Sequence, residues 1–251
     1  MNASSKNILI VFDAAGCAPL SLHIAAELAA GLRAGIKALY VEDINLMKAV
    51  DLPFTREISL YTAEVSNIDS SMLEQKFRAA AQDIKKQIED IANTRSLSIT
   101  FSSIRGHITQ VVRERAEEIT MVMIPAVLSS SGRKRQHRIK GKVVMLYDDI
   151  NESCDKTLDV ALSQAVNKDY QLIVIADSIS AKQHVEKLVD EYGGRAEFDI
   201  ADFSDANEVT SIVYKYHPSL LVMRENSHLI DDEQVLRRLI DMLETDILLV
   251  H

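Results

Sequence analysis

Hydrophobic positions in this chain fall into short continuous runs separated by stretches in which apolar residues recur every three to four positions. The first run, Asn7 to Phe12 (NILIVF), ends at Asp13. Continuous apolar runs of this length are what a parallel strand buried on both faces requires. Ala14-Ala15-Gly16 reads as a turn, and Pro19 suits the first turn of a helix. Leu22, Ala25, Ala26, Leu28 and Ala29 give that helix an apolar face, and Gly31 and Gly35 mark its end. A second run, Ile36 to Val41 (IKALYV), completes a strand–helix–strand unit of the kind that builds doubly wound sheets.

Glu42 to Ser71 is too long for an ordinary strand-to-helix loop, so helical turns are expected inside it, around Asn45–Val50 and Arg56–Tyr61. Ser70 or Ser71, with Glu74 completing a capping box, predicts the start of a long helix. Leu73, Phe77, Ala80, Ile84, Ile88 and Ile91 fix the face it packs on a sheet. Leu97 to Ile104 alternates (LSITFSSI), as a half-exposed strand near a sheet edge does. A helix from Gly106 carries Ile108, Val111, Val112 and Ala116, and leads to an apolar run beginning at Met121.

Lys142 to Tyr147 (KVVMLY) then repeats the opening, with Asp148 in the place of Asp13. Helix, strand, helix, strand, helix, strand, helix and a closing strand (DILLVH) follow, and the Val112 to Met123 spacing recurs from Ile212 to Met223. The chain reads as two repeats, 1–140 and 141–251, the first lacking its last helix–strand pair.

Charge separates these halves. Residues 1–140 hold 18 Lys and Arg against 15 Asp and Glu (+3), whereas residues 141–251 hold 10 against 22 (−12), giving the net −9. Such asymmetry points to mutual attraction between halves or to different partners. No apolar run approaches the ~18–20 residues of a membrane span, so no membrane insertion is expected. MNASSKN lacks a signal-peptide plan, so a cytoplasmic location is expected. Two cysteines, Cys17 and Cys154, are too few for a disulfide framework or a thiolate metal site.

The stretch Ile119 to Lys140 bears most directly on function. In an open α/β sheet, ligands bind past the carboxyl ends of the strands, and a phosphate cradle there needs close backbone N–H groups, which glycine presents most easily. After Met123 the chain instead has Ile124, Pro125 and Ala126, and Pro125 has no N–H to offer. Beyond lies a cationic run, Arg133, Lys134, Arg135, His137, Arg138 and Lys140. It suits an anion or an acidic partner, or serves as a solvated loop between domains. With no interleaved aromatic residue and an acidic chain overall, no sequence-specific nucleic acid is expected.

Taken in order and twice over, ILIVFD, the Ala/Leu-rich helix, ALYVED, RGHITQVVRERAEEITMVMI and DILLVH resemble the universal stress protein family in its tandem form. That resemblance implies an α/β fold of two flavodoxin-like, adenine nucleotide alpha hydrolase-like domains, with parallel sheets of strand order 3-2-1-4-5. It also implies a role in stress response and a homodimer joined through the last strand. Many members bind ATP with an Asp after the first strand, a Val in the second strand and a glycine-rich loop after the fourth. By resemblance the Asp is Asp13, with Asp148 in the second repeat, and the Val is Val41. The loop is missing from both halves: Arg224, Glu225 and Asn226 follow Met223.

Two readings follow. In the first, no cofactor is bound in the family's usual way and the protein acts through protein contacts at Leu52-Pro53-Phe54 and the basic loop. In the second, Asp13 with Arg133, Lys134, Arg135 and Arg138 forms an ATP-binding switch or weak ATPase, side-chain cations replacing glycine amides. Asp13 also suits capping of the helix that follows it, and Asp148 suits that role still better. No histidine spacing resembles a metal site, and no nucleophile elbow or Walker motif occurs, so nothing in the sequence calls for an enzyme.

Overall fold

A computed structural model describes residues 7–13, 19–58, 63–116, 119–126, 141–231, 233–242 and 245–251. Two compact units result, the first holding the described residues up to Arg115 and the second those from residue 119 onward.

The first unit begins with β1 (Asn7–Phe12), α1 (Pro19–Leu32) and β2 (Gly35–Asp43). Ile8 to Phe12 are all buried, and β1 pairs in parallel with β2 from Asn7↔Gly35 to Phe12↔Tyr40. The excursion contains α2 (Ile44–Val50) and two short strands, β3 (Arg56–Ile58) and β4 (Val65–Asn67), paired antiparallel. Arg56 to Ile58 is therefore extended, not helical as its sequence suggests. Next come α3 (Ser70–Arg95), β5 (Ile99–Gly106) and α4 (Ile108–Ala116). β5 runs parallel to β2, giving the order β5-β2-β1.

Helix α3 shows how the local signals compete. Leu73, Phe77, Ile84, Ile88 and Ala92 are buried along one stripe, as the three-to-four spacing requires. Its cap is Asp69, whose carboxylate accepts from the Met72 amide at 2.8 Å, rather than Ser70 or Ser71. Ser70 donates to Asp51 instead, and Glu74 reaches Arg105, so no capping box forms.

The second unit opens with β6 (Met121–Ile124), followed by β7 (Lys142–Tyr147), α5 (Glu152–Lys168) and β8 (Gln171–Ala176). It continues through α6 (Ile179–Glu191), β9 (Ala196–Ile200), α7 (Ala206–Tyr216) and β10 (Leu220–Arg224). It closes with α8 (His228–Asp231), α9 (Glu233–Met242) and β11 (Asp246–Val250). Helix α6 starts from Ser178, whose hydroxyl accepts from Ala181, and is closed by Gly193 at φ +65°.

From β7 onward the sheet order is β9-β8-β7-β10-β11, which is 3-2-1-4-5, and these pairings are all parallel. β6 adds to the far side of β11 as an antiparallel strand, Met123 opposite Leu248. The segment that sequence places at the end of the first repeat thus packs in the second unit. It also occupies the strand edge through which the family resemblance implies dimers, since β11 has β10 on one side and β6 on the other. No helix among the described residues is long and apolar enough to cross a membrane.

On the outer strand β9, Asp199 accepts from the Tyr216 hydroxyl at 2.8 Å, and Lys215 lies 3.1 Å from the same carboxylate. Burial alone would raise the Asp199 carboxyl. The bonds from Tyr216, the Ile200 amide and Lys215 outweigh it and hold the group below its usual range. A carboxyl depressed by folding contributes stability above the ordinary aspartate pKa of about 3.9 and loses it as pH falls through the lower, folded value. Asp199→Asn should therefore flatten the acid limb of a stability-versus-pH curve; an unchanged limb in denaturant melts would refute the assignment.

Candidate functional site

In the second unit the carboxyl ends of the strands converge around Asp148, which follows β7. The strand order sets β7 beside β10, with Val222 opposite Met145, so the residues ending these strands are neighbours. Arg224 ends β10 and places Nη2 3.2 Å from Asp148 Oδ2. The Asp148 side chain is only 1% exposed and that of Arg224 15%. Arg224 Nε is buried and has no hydrogen-bond partner.

Beneath this pair lies Cys154, in the first turn of α5. Asn151 caps that helix, its Oδ1 accepting from the Ser153 and Cys154 amides at 3.0 Å each. The fully buried Cys154 thiol donates to Asp148 Oδ1 at 3.2 Å. Burial, with the Asp148 charge adding to it, pushes the thiol up to about 12. It stays a thiol at neutral pH and is no nucleophile. Asp148 therefore does not cap the following helix; it is the shared acceptor of a guanidinium and a thiol.

Glu225 follows Arg224 directly at the end of β10. Glu225 has a nearly buried carboxylate 2.7 Å from His251 Nδ1, and its amide donates to the Val250 carbonyl at 2.9 Å. Nearby, the Tyr147 hydroxyl donates to Asp155 Oδ1 at 2.7 Å, and the same oxygen lies 3.6 Å from His184 Nε2. Burial and then the Asp155 bond push the tyrosine above its ordinary range. Asp148, the residue the family resemblance would set against a ribose, is thus engaged by Arg224, and the Glu225 carboxylate is buried directly after β10.

The first unit carries its polar groups at the equivalent strand ends. Asp13 follows the Phe12–Tyr40 pair, so it and Val41 come together at one end of β1 and β2. Val41 is buried opposite Ile104. Tyr40 packs edge-on against Phe77 with centroids 6.5 Å apart, and its buried hydroxyl has no hydrogen-bond partner. Burial pushes that hydroxyl up to about 12, the charges of Asp13 and Glu42 adding to the effect. Glu42 is held by Arg105 at 3.1 Å, and Arg105 also reaches Glu74 at 3.3 Å. Asp43 caps α2, and Asn45 Nδ2 lies 3.3 Å from His107 Nδ1. Arg133, Lys134, Arg135, Arg138 and Cys17 lie outside the described residues. Among the described residues no group of three or more His, Cys, Asp or Glu side chains is arranged to hold a metal ion.

Reading the sequence casts Arg224 and Glu225 as obstructions only. The signal for their partners is present: an order of 3-2-1-4-5 sets the ends of strands 1 and 4, and of strands 4 and 5, side by side. Asp148 with Arg224 and Glu225 with His251 follow from that adjacency.

No protein-family model matches the chain, and no curated protein matches it. Among solved structures it is similar to a universal stress protein from Archaeoglobus fulgidus, at 9% identity and a TM-score of 0.50, over 96% of this chain and 95% of that one. A protein of the universal stress protein family from Burkholderia pseudomallei matches 80% of this chain and 98% of its own, at 14% identity and a TM-score of 0.31. A universal stress protein from Lactobacillus plantarum matches 69% and 99%, at 18% identity and a TM-score of 0.36. The likeness to the Archaeoglobus protein extends over both units and establishes the fold, a mostly parallel α/β sheet architecture of the universal stress protein type.

Proposed function

We propose that this is a universal-stress-type protein, non-catalytic and acting in stress response through protein contacts, with no nucleotide bound in the family's usual way. The observation that carries this reading is the Asp148–Arg224 pair. Drawing Arg224 away to admit a ribose would leave the buried Asp148 carboxylate without its cation, a loss of about 3–5 kcal/mol, against the roughly 1.5–3 kcal/mol that a hydroxyl bonded to a charged group returns. A cytoplasmic location belongs to the same reading. A homodimer would have to use a surface other than the last strand, whose free side is taken by β6. The excursion around Leu52-Pro53-Phe54 is the surface favoured here.

Thermal melting with ATP, ADP, AMP and magnesium tests this directly. Binding at about 100 times the dissociation constant stabilises by about 2.7 kcal/mol, so a ligand is easily seen. The expected result is no saturable shift.

The second reading, a nucleotide switch in the first unit using Asp13 and the basic run, draws on the buried Tyr40 hydroxyl, which lacks a hydrogen-bond partner beside Asp13. A saturable shift abolished by Asp13→Ala would favour it; a shift that survives that change would sink it.

A further inference from the structure

Half of the exposed large hydrophobic side chains among the described residues fall between α2 and the first turn of α3. They are Leu46, Leu52, Phe54, Ile58, Val65 and Met72. Apolar residues scattered singly over a surface need no explanation, but a concentration of them marks a contact surface. The β3–β4 ribbon shows which way this one faces. Glu57 is paired with Lys76 on α3, so its side of the ribbon lies toward that helix. Arg56 and Ile58, with Asn67 and Val65 opposite them, therefore point outward. A ribbon of three residues per strand is marginal by itself, yet Ile58 is 62% exposed and Val65 55%.

At the turn before the ribbon, Phe54 is 95% exposed at φ +69°, a left-handed backbone that glycine adopts far more easily. Thr55 closes that turn, its hydroxyl donating to the Ala49 carbonyl at 2.7 Å and the Leu52 carbonyl at 3.0 Å. An aromatic ring presented in this way is the usual anchor of a protein interface.

The rim carries both signs of charge. Lys48 and Arg56 are exposed. Asp51 accepts from the Ser70 hydroxyl at 2.6 Å and Asp69 from the Met72 amide at 2.8 Å, both neutral donors. Glu57 is answered by Lys76, and Glu64 has a contact of its own. Two cations thus balance two carboxylates, and the rim favours neither a cationic nor an anionic partner. What it matches is the same surface turned about a two-fold axis, where each residue meets its complement reciprocally. A stable interface takes about 20–30 residues a side, and the span from Leu46 to Met72 is of that size.

Resting on the reading of this protein as one that works through contacts, we infer that this surface joins two copies of the chain about a two-fold axis. Phe54 and Ile58 of each copy bury against the other, and Arg56 of each meets Asp51 of the other.

Light scattering of the eluting full chain tests this. The parent should show twice the 28.0 kDa of one chain throughout about 1–100 µM, as a dissociation constant below about 0.1 µM requires. Phe54→Gly removes the ring and relieves the backbone, so the chain should keep a cooperative melt. The two-fold axis counts that loss twice, so dimerisation should weaken by about a hundred-fold or more. Arg56→Glu sets like charges against Asp51, and Asp51→Arg sets them against Arg56, so each variant alone should associate at least about ten-fold more weakly. An equimolar mixture of the two should recover the parent's dimer, because each chain then offers the charge the other lacks. Recovery between separate chains is an outcome that misfolding of either variant does not produce.

A parent that runs as a single chain assigns the surface to a partner of other chemistry and overturns the inference. A dimer that Phe54→Gly leaves intact overturns it too, as does a mixture that associates no better than either variant alone. The nucleotide melts read none of these, so failure here is distinct from failure of the proposed function.

Discussion

Arg224→Ala should lower the stability of the second unit by about 3–5 kcal/mol, read as a fall in denaturant midpoint at constant slope. The reason is the asymmetry of a buried pair. Forming it returns little, because both charges leave water, but removing one partner strands the other. Asp148 is 1% exposed and loses its cation once Arg224 is gone, while the Cys154 thiol is only a weak donor to it. The 15% exposure of Arg224 admits some water and favours the lower end of the range. Replacing both residues by apolar ones, Arg224→Met with Asp148→Leu, should recover most of the loss, since no charge is then left unpaired. A loss below about 1 kcal/mol, as for a surface pair, would show that the carboxylate is open to water. The case against a nucleotide in this unit would fall with it.

That pair also shows where sequence reasoning ran out. The strands were legible because parallel strands covered on both faces must be continuous apolar runs, and NILIVF, KVVMLY and DILLV leave no other use for themselves. Helix α3 was legible from its spacing, but not its cap, because Asp69, Ser70 and Ser71 are three competent capping residues in a row. Glu74, which favoured Ser70 or Ser71, is drawn away by Arg105. Arg56 to Ile58 failed for another reason: three residues are too few to separate a period of two from one of 3.6, and the antiparallel pairing to Val65–Asn67 decides the matter. Asp148 and Arg224 stand 76 positions apart, a separation on which no local pattern bears. Only the strand order joins them. Asp13 and Val41 fall at one end of β1 and β2, and the role of either toward a ligand depends on groups beyond those strands.

A larger loss is expected at Met123. β6 is only four residues long, all buried, yet it closes the far side of β11 by antiparallel pairing from Met121↔Val250 to Ile124↔Ile247. Side-chain and end contacts secure so short a strand: the Ala126 amide donates to buried Asp246 at 2.8 Å, and the His251 amide to the Thr120 carbonyl at 3.2 Å. Met123→Asp would bury an uncompensated carboxylate at the middle of the ladder, at a cost above about 4 kcal/mol. For a chain of this size that corresponds to a melting temperature lower by roughly 10 °C. Met123→Leu, which conserves volume, should cost less than about 1.5 kcal/mol. The aspartate variant should also behave differently in solution. Once β6 is released, β11 presents Ile247 to Val250 as an open apolar edge, the kind of edge on which a second chain pairs. Light scattering should therefore show concentration-dependent association for Met123→Asp and not for Met123→Leu. An aspartate variant that melts with the parent would mean that β6 is not a fixed strand of this sheet, and the last-strand route to a dimer would then be open in the native protein as well.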